Sequence, residues 1–146
     1  MDEMTNCYET DDLVESQFRR SWDSITEFYD GSPMRTFLGD PLANLMIQLV
    51  KTMSQAGYSQ CLRAGQAMHQ LILSRSREHG YLGGCYLCFS PEYGSYEVNG
   101  KKKIVQALKV TYYAEGVLTE EFEEDEIALT LRIQSFLQRL SEQPIT

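Results

Sequence analysis

Cys85 and Cys88 stand in a C-x-x-C spacing inside LGGCYLCF, residues 82–89, directly behind the Gly83-Gly84 pair. Two thiolates at this spacing make half of a tetrahedral zinc site. The remaining candidate ligands are His79, close by in sequence, and Cys7, Cys61 and His69 further away. None of them forms a second short-spaced pair, so Cys85, Cys88 and His79 remain candidates without a completed set. The reading is therefore no metal and no cofactor. A redox C-x-x-C needs a helix directly after it, because a helix N-terminus lowers the first thiol's pKa. Here FSPEYG follows, which is turn chemistry. Packing is the third reading. In a helix Leu82, Cys85, Tyr86 and Phe89 share one face. In a strand Cys85, Leu87 and Phe89 face one way and Tyr86 and Cys88 the other.

Other chemistry is sparse. His69 and His79 are the only histidines. Cys61 and His69, eight residues apart on one helix, would be roughly 12 Å apart, too far for a dyad. No Gly-rich phosphate loop, G-x-S-x-G or H-E-x-x-H occurs. The acidic run Glu120 to Glu126 lacks the ligand alternation of a calcium loop and reads as a solvated surface able to meet a basic partner. No catalytic residue is named, and the chain is read as not an enzyme. Tyrosine pairs apolar area with a polar tip and favours interfaces. Tyr86, Tyr93, Tyr96, Tyr112 and Tyr113 are accordingly the candidate partner-binding residues.

These residues must be positioned by something. The chain has 146 residues, 42% hydrophobic, which is enough for one core. Its net charge of −8 disfavours phosphate backbones and anionic membranes. No apolar run is long enough for a membrane-spanning helix, and the acidic first residues do not read as a signal peptide. The expectation is a cytoplasmic or nuclear protein with reduced cysteines.

Val14, Phe18, Trp22, Ile25 and Tyr29 recur at helical spacing, with Thr10 or Asp11 as cap and Gly31 as stop. Asp40 as N-cap and Pro41 at the first position open a second helix. Its stripe is Leu42, Leu45, Met46, Leu49, Val50 and Met53, and Gly57 ends it. A third helix is expected from Ser59 to His79, antiparallel to the second. Residues 81–100 carry turn signals at Pro91, Gly94 and Asn99-Gly100, the last suited to a hairpin turn. Ile104, Val105, Leu108 and Tyr112 suggest a helix ending at Gly116, with a strand as the alternative. A final helix is expected from Thr119 to Leu140.

Leu82-Gly83-x-x-Tyr86 resembles the opening of a tetratricopeptide repeat. YYAEGVLTEEFEED is similar to the acidic helix connections of HEAT-like domains. The resemblance implies an α-helical repeat scaffold that binds other proteins. The fold expected is all-α: helical hairpins packed as a small bundle or short α-solenoid, with an irregular aromatic-rich segment at 81–100. The alternative is α+β with a small hairpin there. Residues 1–9 are expected to be a mobile acidic arm, 10–142 a single domain and 143–146 a tail. The function expected is a non-catalytic protein–protein interaction module, an adaptor or a segment of a larger scaffold. The alternative is a small zinc- or thiol-dependent protein using Cys85 and Cys88.

Overall fold

A computed structural model describes residues 7–78, 80 and 82–146, and for residues 94–96 and 104 the backbone alone. The first helix forms as its apolar stripe demands. α1 spans Asp12–Asp30, and Asp11 caps it by accepting from the Val14 N–H at 2.9 Å. All five stripe residues are buried. α2 (Ser32–Leu38) follows at once, with Gly39 at φ 85° turning the chain into α3 (Asp40–Gln55). Gly39 is thus the cap residue, one position before Asp40. α3 buries Leu42, Met46, Leu49, Val50 and Met53, while Leu45 packs against the core partly exposed.

From here the chain departs from the all-α expectation. After Gly57 only one turn of helix forms, α4 (Tyr58–Cys61), and the segment read as a third helix becomes two strands. β1 (Arg63–Ala67) and β2 (Gln70–Ser74) pair as a hairpin around Met68 and His69, with Met68 at φ 55°. β3 (Tyr86–Val98) and β4 (Lys101–Ala114) form a long hairpin around Asn99 and Gly100. Both turn residues are left-handed, at φ 53° and 75°, as a type I′ turn requires. Glu115 and Gly116, at φ 52° and 80°, make a second such turn into β5 (Val117–Glu124). Gly116 is therefore a hairpin residue and not the end of a helix. α5 (Leu131–Ser141) closes the chain, capped by Thr130, which accepts from the Ile133 N–H at 3.2 Å.

The architecture is mixed α+β, a five-stranded antiparallel meander in the order β1-β2-β3-β4-β5. This overturns the helical-repeat reading. Leu82-Gly83-x-x-Tyr86 leads into β3 and YYAEGVLTEEFEED is the β4–β5 hairpin, so neither motif lies on a repeat helix. The physical reason is burial on one face. Every sheet residue in the core cluster has the parity of Leu87 and Phe89: Ala64 on β1, Leu71 and Leu73 on β2, Leu108, Val110 and Tyr112 on β4, Phe122 on β5. Residues of α1, α3, α4 and α5 join the same cluster. The helices thus form one layer and the sheet the other. No helix among the described residues is long and apolar enough to cross a membrane.

Candidate functional site

Because side chains alternate along a strand, the face opposite the core carries Tyr86, Cys88, Ser90, Lys109, Thr111, Tyr113 and Glu121. No sheet residue of this parity joins the core cluster. Tyr86 and Tyr113 are direct cross-strand partners, and their rings stack with centroids 4.6 Å apart and planes 9° from parallel. Such a pair contributes about 0.5–1.5 kcal/mol beyond its buried area. Burial raises the Tyr86 pKa, with Cys88 and Tyr113 adding to the rise. The phenol therefore stays neutral and able to donate. Cys88 faces Thr111 in the same register. Burial also raises the Cys88 pKa, against the lowering effect of a hydrogen bond with Thr111. A shallow depression of about 150 Å³ lies beside them, with Lys109 and Glu121 in its wall. The Lys109 ammonium sits 3.6 Å from the Glu121 carboxylate.

The other tyrosines separate. Tyr112 has core parity, is 4% exposed, and lies under the Arg139 guanidinium at 4.2 Å. It supports the core rather than a partner surface. Tyr93 is half exposed, and its hydroxyl donates to the Leu38 carbonyl at 3.1 Å, tying β3 to the end of α2. Tyr96 pairs with Lys103 in the ladder, but its side chain lies outside those described.

The cysteines do not converge. Cys85 precedes β3 and packs against the core, its Sγ 3.8 Å from Gln143 Oε1 and in a side-chain hydrogen bond with Tyr112. Cys88 is on the opposite face of the sheet. Strand alternation thus sends the two thiols towards different sides of the sheet. His79, the third candidate ligand, lies outside the described residues. No group of three potential metal ligands occurs among the described residues. Cys61 is joined to Cys7 by a disulfide, so the expectation of four reduced cysteines does not hold.

His69 sits in the β1–β2 turn instead of on a helix face. Its Nε2 lies 3.4 Å from Ser90 Oγ, while its Nδ1 is buried without a hydrogen-bond partner among the described residues. A nucleophilic triad needs an acid on that second nitrogen to fix the tautomer, and none reaches it among the described residues.

A second concave surface was not visible in the sequence. Between α1 and β1 runs a groove of about 620 Å³ lined by Arg20, Arg63 and Arg77. These arginines come from three separate segments, and no sequence signal groups them. No protein-family model matches the chain, and neither a curated protein nor a solved structure does.

Proposed function

We propose that the chain is a non-catalytic protein-binding module that meets a basic partner protein with the open face of its sheet. The observation carrying this reading is the stacked Tyr86–Tyr113 pair on a face that no helix residue of the core covers. Interface hot spots are enriched in tyrosine. A pair already ordered by stacking loses little side-chain freedom on binding. Charge supports the choice of partner. Next to this face, the edge strand β5 and the residues just after it expose Glu123, Asp125 and Glu126. A long unpaired edge bearing carboxylates resists pairing with itself and attracts a positively charged surface.

The test compares the purified chain with a Tyr86→Ser/Tyr113→Ser variant as bait. The variant should stay cooperatively folded, its melting temperature lowered only by the loss of the stack, yet lose a specific protein that the wild type recovers. With that protein purified, affinity should fall about thirtyfold or more, the effect of removing one hot spot, and should weaken as salt is raised. Recovery of the same proteins at the same level by both baits would sink the reading.

A further inference from the structure

The groove between α1 and β1 is unusual for an acidic chain. Acidic residues outnumber basic ones by 21 to 13, yet no described carboxylate lines this groove. Arg19, Arg35, Lys109 and Arg139 each have a carboxylate partner. Arg20, Arg63 and Arg77 have none among the described residues.

Arg63 is the fixed member. Its Nε donates to the Ser76 carbonyl at 2.8 Å and its Nη2 to the Arg77 carbonyl, and it lies 5.7 Å from the Phe18 ring centroid. Burial lowers its pKa. A guanidinium held in this way, partly desolvated and without an anion, is costly unless something neutralises it. Arg20 on α1 and Arg77 after β2 are exposed and free to swing towards it.

Three guanidiniums from three segments suit a tetrahedral oxyanion, whose oxygens point in several directions. A single planar carboxylate is satisfied by one bidentate arginine. The groove volume falls inside the range of small-molecule sites, roughly 300–1,000 Å³. Phe28 supplies an apolar wall. Addition of a peptide strand along β1 is opposed by geometry, because the Ala64 N–H already donates to Ser21 Oγ at 2.8 Å.

We propose that this groove binds an organic phosphate, its dianionic head held by Arg20, Arg63 and Arg77 and its apolar part resting on Phe28. The site is separate from the open sheet face, so either assignment can fail alone.

Calorimetric titration of the full chain with phenyl phosphate, inorganic phosphate and hexaglutamate at low salt tests it. Phenyl phosphate should saturate the site and bind several-fold tighter than inorganic phosphate, because its ring buries apolar area. The Arg20→Gln/Arg77→Gln variant should keep its fold, since neither side chain bonds to another among the described residues, and should bind phenyl phosphate about tenfold or more weakly, as expected for lost charge-assisted hydrogen bonds. A Lys51→Gln control, in a separate depression between α1 and α3, should bind as wild type. No saturation with phenyl phosphate, equal binding by the double variant, or equal affinity for the two phosphates would overturn the assignment. Tighter binding of hexaglutamate than of either phosphate would overturn it in favour of an acidic peptide.

Discussion

Arg75 Nη1 donates to the carbonyl oxygen of Cys61 at 2.7 Å, beside the disulfide that joins Cys61 to Cys7. The same guanidinium donates to the carbonyls of Tyr8 and, at 3.0 Å, Gln143. One cation, 1% exposed, therefore binds the N-terminal segment, α4 and the residues after α5. The C-terminus follows the same path, with the Thr146 N–H donating to the Arg75 carbonyl at 3.1 Å. Replacing Arg75 with Met fills most of the volume but leaves three carbonyls without their donor. The Cys61 acceptor is buried and the other two are part-buried; an orphaned buried acceptor costs about 1–3 kcal/mol and a wetter one less, so Arg75→Met should lose about 2 kcal/mol or more, read from the urea midpoint. A variant within 1 kcal/mol of wild type, by the same scale, would show that the clamp is dispensable.

The disulfide beside it closes a separation of 54 residues. Loop-closure entropy alone sets its contribution at about 4 kcal/mol, and removal of native disulfides commonly costs about 2–5 kcal/mol. Cys7→Ser should fall in that range, and reductant should bring wild type down to the variant's level. Thiol labelling of the unfolded, unreduced chain should count the two free cysteines, Cys85 and Cys88. A count of four would remove the bridge.

The two faces of β3 make a further pair of predictions. Phe89 is fully buried in the core, so Phe89→Ala should cost about 3–5 kcal/mol. Tyr86, three residues earlier on the open face and only partly buried, should cost less than Phe89 as alanine, about 0.5–1.5 kcal/mol for its stack plus the apolar area it buries. Equal losses would mean the faces are misassigned.

The first half of the helical layer was legible because α1 and α3 are long, and their stripes run at helical spacing behind clear caps. The sheet was not legible, for a specific reason. Leu108 and Tyr112 are four apart, and a spacing of four falls on one side in both a helix and a strand. The inward residue that decides between them is Val110; it alternates with Lys109 and Thr111 as a strand would, but Ile104, Leu108 and Tyr112 at spacings of four outweighed that short alternation. Glu120 to Glu124 favour a helix by propensity, yet pairing with β4 overrides it. Tyr86 and Tyr113 meet only through strand register, and Arg20, Arg63 and Arg77 only through the docking of α1. No local pattern encodes contacts of that kind. Asn99-Gly100 was the exception, because its chemistry names its own turn.

Alkaline pH gives a signed prediction. A tyrosine ordinarily titrates near 10.0, but burial pushes Tyr112 up to about 12, with Cys85 adding to the rise and Arg139 opposing it. Above pH 10 the unfolded chain loses this proton while the native chain keeps it. Stability supplied by the neutral phenol is thus complete below the unfolded value and falls as pH rises towards the folded one. Tyr112→Phe removes this contribution, so its urea midpoint should decline less steeply than wild type from pH 10 upward. Parallel declines would exclude Tyr112 as a source.

The β4–β5 turn sets the last prediction, and it bears on the open face. Glu115 adopts φ 52°, a left-handed conformation that costs an ordinary side chain about 1–2 kcal/mol and asparagine less. The equivalent position of the β3–β4 turn already carries Asn99, at φ 53°. Glu115→Asn should therefore stabilise the chain by about 0.5 kcal/mol or more, and Asn99→Glu should destabilise it by a similar amount. The turn lies two residues from Tyr113, just before the bulge at which Thr119 Oγ1 donates to the Tyr112 carbonyl at 3.0 Å. A firmer turn holds that register and keeps Tyr113 opposite Tyr86. Glu115→Asn should then bind a partner of the open face at least as tightly as wild type while melting higher. A lower melting temperature would show that the Glu115 side chain contributes more than its backbone strain costs.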